Sequence, residues 1–208
     1  MIISGYQGIG KSTLAGRDRF IDLESGNFWI GGKRADDWYI PYCNIALHLS
    51  SQGYNVFISS HKLVRDYLAS LPKTEELVVV YPSLELKGDW ICKLAVRYER
   101  TNLEKDYKSL MNARDCYADN ITDLMNQVNF GHIEIKSMDY DLKDLIEVYE
   151  VKNRDQYNKG FEAGRAWVDA KIYSAYKALQ DGFAGTAQEY LEELLDNHKE
   201  ATDDGNNN

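Results

Sequence analysis

Gly5-Tyr6-Gln7-Gly8-Ile9-Gly10-Lys11-Ser12 lies between a short apolar run, Met1-Ile2-Ile3-Ser4, and the segment Ser12-Thr13-Leu14-Ala15-Gly16-Arg17. The apolar run reads as a strand and the later segment as the opening of a helix. The octapeptide fits G-x-x-x-x-G-K-[ST] at all four fixed positions and in the strand-then-helix setting that the pattern requires. Glycines let backbone N–H groups turn inward around a phosphate, and a helix N-terminus adds the positive end of its dipole. In such a loop Lys11 reaches the β- and γ-phosphates and the Ser12 hydroxyl holds Mg²⁺. Gly5, Gln7, Gly8, Ile9, Gly10, Lys11, Ser12 and Thr13 are therefore the candidate positions for ATP.

Working outward, apolar strand-like runs alternate with helix-like segments. Arg19 to Leu23 reads as a second strand, Asn55 to Ser59 as a third, Leu77 to Tyr81 as a fourth and His132 to Ile135 as a fifth. Helices are expected over Asp36 to Gln52, over His61 to Leu71, and over most of Leu84 to Gln127. The alternation predicts an α/β fold, a doubly wound and mostly parallel five-stranded sheet flanked by helices, over residues 1–148. From about Tyr149 no strand-like run follows, and residues 149–200 read as a C-terminal helical extension. Phe161, Trp167, Val168, Ile172, Tyr176 and Leu179 suggest one amphipathic helix, and Ala187, Tyr190, Leu191, Leu194 and Leu195 a second. These helices cover the sheet or each other; the alternative is a subunit interface and a homodimer. The tail, residues 201–208, carries no apolar residue after Ala201 and is expected to be disordered.

The chain has 208 residues, enough for one sizeable core, and a formal net charge of −9. An acidic chain gains little from releasing counterions off a phosphate backbone, which argues against nonspecific nucleic-acid binding. Cys43, Cys92 and Cys116 are scattered, with no metal-ligand spacing, and read as small core residues of a reducing compartment. No apolar run approaches a membrane span, and the N-terminus reads as strand and phosphate loop rather than signal peptide, so the expected location is cytoplasmic.

In a doubly wound sheet, ligands bind beyond the carboxyl ends of the strands, so the residues just after each strand carry the chemistry. Asp22 and Glu24 follow the second strand on one side of the chain. They could hold Mg²⁺ through water, take a proton from an acceptor hydroxyl, or be surface acids in a turn. Ser59, Ser60 and His61 follow the third. Their hydroxyls suit a metal-bound water or a phosphate, and Ser60 equally suits capping a helix that starts at His61. His61 is either a polar neighbour or a substrate contact, and Arg65, four residues on, could point into the same cleft. Lys93, Arg97 and Arg100 would share a helix face that could close over phosphates as a lid, or simply be solvated and paired with Glu99 and Glu104. Lys33-Arg34 lies among Phe28, Trp29, Trp38, Tyr39 and Tyr42, aromatics that could sandwich a base or fill the core.

The N-terminal phosphate loop, the acid after the second strand and the arginine-bearing helix after the fourth resemble the nucleoside monophosphate kinase group of P-loop kinases over roughly residues 1–148. The resemblance implies that the loop holds ATP and that Lys11, Asp22 and Arg97 are catalytic. It implies that Ser12 and Asp22 hold Mg²⁺, and that a small-molecule nucleotide acceptor meets Asp22, Glu24, Arg34, His61, Arg65 and Arg100. Arg34 or Arg65 would clamp the acceptor's α-phosphate, and Ser137-Met138-Asp139 would lie beside adenine. The acid pair is also similar to that of shikimate-type kinases, which act on a hydroxyl. One departure is that no hydrophobic strand ending in an Mg²⁺-binding Asp appears at the third or fourth strand, with Asp22 as the substitute. The readings carried forward are a nucleotide kinase, a kinase of another small hydroxyl compound, and a P-loop ATP-binding switch protein.

Overall fold

The computed structural model describes residues 1–28, 34–72, 76–180 and 189. Five strands form one sheet: β1 (Ile2–Gly5), β2 (Phe20–Asp22), β3 (Asn55–Ser59), β4 (Leu77–Pro82) and β5 (Gly131–Ile135). Their order across the sheet is β2-β3-β1-β4-β5, and every pairing is parallel. Ile2 faces Val56 on one side and Leu77 on the other, so the short N-terminal apolar run becomes the central strand. Parallel strands are covered on both faces, which is why β4, Leu-Val-Val-Val-Tyr-Pro, is buried at every position. Each fully buried Val or Ile in this layer contributes about 1.5–3 kcal/mol of transfer free energy.

The helices are α1 (Lys11–Leu14), α2 (Tyr39–Ser51), α3 (Lys62–Ser70), α4 (Lys87–Thr101), α5 (Glu104–Met125) and α6 (Leu142–Gln180). Two 3₁₀ turns, Ser25–Phe28 and Leu84–Leu86, lie between them. Pro41 is tolerated in α2 because it falls in the first turn, where its missing N–H has no intrahelical partner. Asn102 takes the left-handed conformation (φ 52°) that ends α4, and α5 starts at once, so the expected charge-rich helical stretch is a packed hairpin, α4 against α5. The doubly wound α/β architecture expected from the alternation is thus present, and the sheet is parallel throughout. The connection after β1 leaves toward β2 and the one after β4 toward β5, so the switch point lies between the neighbours β1 and β4.

The chain divides into two compact units, residues 1–147 and a second from Val148 onward. The helix α6 starts upstream of Tyr149, at Leu142, because the Asp141 side chain accepts the amides of Lys143 (2.7 Å) and Asp144 (3.3 Å) as an N-cap. In the second unit Lys171 lies over the Trp167 ring at 5.8 Å. The second expected helix, 187–195, lies outside the described residues apart from Glu189, and so does the tail 201–208. No helix among the described residues is long and apolar enough to cross a membrane. Cys43 is buried, as a core residue should be, but Cys92 and Cys116 are exposed on α4 and α5.

Candidate active site

Gly5 ends β1, and the chain turns sharply beyond it. Gly8 and Gly10 have φ of 86° and 102°, a region that L side chains rarely adopt. At Gly8 a Cβ would also stand 2.9 Å from Leu94 Cδ2 and 3.3 Å from Trp90 Nε1. The loop is held from outside by α4 and by the segment before α6. Trp90 Nε1 donates to the Gln7 carbonyl (2.9 Å), and the Tyr140 hydroxyl donates to the Ile9 carbonyl (3.0 Å). The Gln7 side chain donates to the Ser109 carbonyl on α5 (2.7 Å). These bonds draw the loop's carbonyls outward and leave its amides free to face the cleft.

The helix after the loop is a single turn, Lys11–Leu14, where the sequence suggested a longer one. So short a helix has little macrodipole, and an anion here would depend on the loop amides and Lys11. Lys11 Nζ donates to the Gly5 carbonyl (2.8 Å), which places the ammonium back over the end of β1. Burial pushes its pKa down, and the nearby Asp22 and Glu24 carboxylates pull it back up. Asp22 ends β2 and is half-buried; burial raises its pKa, Lys11 lowers it and Glu24 raises it further. Tyr42 fixes this strand end: its hydroxyl donates to the Leu23 carbonyl (2.7 Å) and accepts the Ser59 amide (2.8 Å). It clasps the carboxyl ends of β2 and β3 together, and burial raises its pKa far above the ordinary phenol value.

Two clefts meet at this point. The larger, about 1,320 Å³, runs from Gly8 to Leu14 along α4 to Met138 and Tyr140. The smaller, about 370 Å³, lies between the ends of β1, β2 and β3 and one face of α5. Gln7, Lys11, Asp22 and Glu24 line both, so the ammonium and the two acids stand at the junction. Ser12 and Thr13 line the larger cleft, with the Ser12 side chain exposed. Among the described residues no three His, Cys, Asp or Glu side chains gather as a metal cluster. Mg²⁺ in nucleotide sites takes one or two protein oxygens and phosphate oxygens, so Ser12 with Asp22 is a donor set of the right kind.

The basic residues separate in an order that spacing alone did not give. Lys93, Arg97 and Arg100 do share one face, and it lines the larger cleft. Arg97 Nη2 pairs with the buried Asp106 of α5 (2.6 Å), not with Glu99 or Glu104, and Thr101 Oγ1 donates to the same carboxylate (2.5 Å). Its Nε is buried without a hydrogen-bond partner among the described residues. Lys93 donates to the Tyr140 hydroxyl (2.9 Å) and lies 4.5 Å from the Trp90 ring centroid. Arg100 lies on the larger cleft and not on the smaller one.

Of the expected acceptor contacts, Asp22, Glu24, His61 and Arg65 line the smaller cleft. Arg65 is buried there, donating to the Ser60 carbonyl (2.6 Å) and paired with Asp123 of α5. Arg34 lines neither cleft; it donates to Ser25 O (2.8 Å) and stacks over Trp38 at 4.1 Å. His61 stands at the rim, edge-on to Trp38. Partial burial and the surrounding Arg34, Lys11 and Arg65 push its pKa down, which keeps the ring neutral. The helix expected to start at His61 starts at Lys62, so His61 and not Ser60 is the cap position. It is the Ser59 hydroxyl that accepts the His61 amide (3.3 Å). Phe28, Trp38 and Tyr42 pack on one another (Phe28 to Tyr42, 5.3 Å); Trp38 and Tyr42 are buried in the core, and Phe28 is half-buried. Trp29 and Lys33 lie outside the described residues.

The sequence did not point to Trp90, Asp106, Asn112, Asn120, Asp123 or Tyr140. The Asp141 cap was the one readable hint, since it places Tyr140 just before a helix start. The chain is a doubly wound α/β protein with a phosphate-loop sequence at the carboxyl end of its central strand. Neither the protein-family models nor the curated proteins offer a match to it.

Proposed function

We propose that this protein is an ATP-dependent small-molecule kinase that moves the γ-phosphoryl group of ATP to a nucleoside or deoxynucleoside monophosphate. The observation that carries the reading is the junction of two unequal clefts at Lys11 and Asp22. A kinase needs two substrates to meet end-on at one charged point, and a simple nucleotide-binding switch does not. The loop suits a polyphosphate: the half-buried Lys11 spends one donor on Gly5, with further N–H groups to offer.

In this reading ATP with Mg²⁺ supplies the phosphoryl group and neutralises charge on its oxygens. Lys11 binds and orients the phosphates between the clefts. Arg97, held by Asp106, lines the larger cleft, where its guanidinium would oppose developing negative charge. Ser12 and Asp22 would hold Mg²⁺. Glu24 and His61 orient the acceptor. Three unbridged cysteines fit a reducing, cytoplasmic setting.

One observation favours a second reading. Arg65 is already paired with Asp123, and Arg34 is occupied with Ser25, which leaves Lys11 as the main cation facing the smaller cleft. That suits an acceptor whose reacting group is a neutral hydroxyl, with Asp22 as general base; its raised pKa brings it nearer the working pH. ADP release from ATP·Mg²⁺, measured with a panel of nucleosides and their 5′-monophosphates, tests both. Stimulation by one or two monophosphates supports the first reading and stimulation by nucleosides the second. A flat response with steady basal hydrolysis leaves the switch-protein reading.

A further inference from the structure

α5 is not a straight helix. Cys116 has φ −127° and ψ 22°, outside the helical region, and divides it at mid-length. Asn112 and Asn120 stand eight residues apart, on either side of that break. In a straight helix the rise between them would be about 12 Å, too far for two short side chains to meet. Here Asn120 Nδ2 donates to Asn112 Oδ1 at 2.7 Å. Both residues line the smaller cleft, opposite Asp22 and beside Tyr6 and Gln7. A break in a helix brings together side chains that a straight helix keeps apart. This one turns two carboxamides into a joined pair at the wall of a pocket.

The pair has one defined open side. One Asn120 N–H is taken by Asn112, and the Asn120 amide lies close enough to the Tyr6 hydroxyl to offset part of the rise that burial gives that phenol. What remains of the pair, with Asn112 exposed at the cleft wall and Asn120 half-buried, is a donor, Asn112 Nδ2, and an acceptor, Asn120 Oδ1, neither with a hydrogen-bond partner among the described residues. A neighbouring donor and acceptor match the hydrogen-bonding edge of a nucleobase, as carboxamides match adenine in nucleic-acid recognition. A sugar hydroxyl or a phosphate gives no reason for that pairing: the first needs no planar edge, and the second needs cations.

We propose that the Asn112–Asn120 pair, assembled by the break at Cys116, reads the base edge of the acceptor in the smaller cleft. The acceptor class is then a nucleoside or its monophosphate and not a simple sugar phosphate. The inference rests on the kinase reading for the word acceptor, but its binding test does not.

The probe is a panel of nucleosides, their 5′-monophosphates and ribose 5-phosphate, titrated calorimetrically with the larger cleft filled by a non-hydrolysable ATP analogue. Asn112→Asp keeps the oxygen that Asn120 bonds and removes the donor facing the base. It is expected to weaken binding of the preferred nucleoside or nucleotide about 10- to 100-fold, with the ATP analogue's affinity unchanged. Asn112→Ala is the second variant, and melting curves check that both fold. Ribose 5-phosphate should bind weakly and equally to the native protein and the variants. Native-like nucleotide affinity in Asn112→Asp overturns the inference, as does a native protein that binds no base-bearing member of the panel. Base-dependent binding lost in the variant, without phosphoryl transfer to any acceptor, upholds the inference and removes the kinase reading.

Discussion

The two clefts that meet at Lys11 are built in opposite ways. The larger draws one wall from a continuous stretch, Gly8 to Leu14, with Lys93, Arg97 and Arg100 of α4 and Lys105 of α5 beside it. The smaller is assembled from four distant pieces: residues 5–7, 22–25, 59–65 and 112–124. In the proposed function, the first would grip a ligand common to many proteins through backbone amides, which any sequence with the right glycines supplies. The second would single out a particular acceptor, and that takes side chains from several elements. A contiguous site can be read from a string of residues; a composite one depends on how the elements pack.

The largest effect should fall on the shared junction. Lys11→Ala is expected to lower phosphoryl transfer by about 10²–10³-fold or more, measured as ADP release. Its melting temperature should hold, because burial already disfavours the ammonium it removes. A variant that kept its rate would break the comparison at its centre.

Asp22→Asn separates chemistry from binding. Transfer should drop by about 10²–10⁴-fold while affinity for an ATP analogue changes little. The sign of its stability effect follows from the raised pKa. The folded state holds the Asp22 proton more tightly than the unfolded chain, so that contribution is present at low pH. It is lost as pH rises from the ordinary carboxylate range through the raised value. At neutral pH the ionised group is a net cost, and Asp22→Asn should melt higher than the native protein. By the same shift, the acid limb of the rate profile should lie above the ordinary carboxylate range.

Arg97→Ala sharpens the larger cleft's side. It removes the partner of the buried Asp106, leaving that carboxylate with Thr101 alone. A loss of about 2 kcal/mol in denaturant unfolding is expected, together with a fall in kcat. Asp106→Asn should recover part of the stability of Arg97→Ala when the two are combined, since it removes the uncompensated charge. The smallest effect is expected from Trp90→Phe and Tyr140→Phe, each removing one donor to a loop carbonyl. Each should cost about 1 kcal/mol, read as a severalfold rise in the KM for ATP with the acceptor KM unchanged.

The same contrast explains what was legible in the sequence. Val56-Phe57-Ile58 and Val78-Val79-Val80 announced buried strands by composition, and the glycine-lysine octapeptide announced its own geometry. Asp22 was legible because it closes an apolar run. The short α1 was not, since Ala15-Gly16 could have continued a helix or ended it. Arg34 and Arg65 looked alike as isolated cations, and only packing showed that Ser25 and Trp38 hold one and Asp123 the other. The Asn112–Asn120 bond violates helical spacing, so no periodicity could have suggested it.

The most direct test of the central claim follows the label from ATP carrying ³²P at its γ position, with the best base-bearing acceptor and Mg²⁺. The account predicts that the label appears on the acceptor in step with ADP, and that Lys11→Ala abolishes both. Label released only as inorganic phosphate, at a rate indifferent to every acceptor, would contradict it.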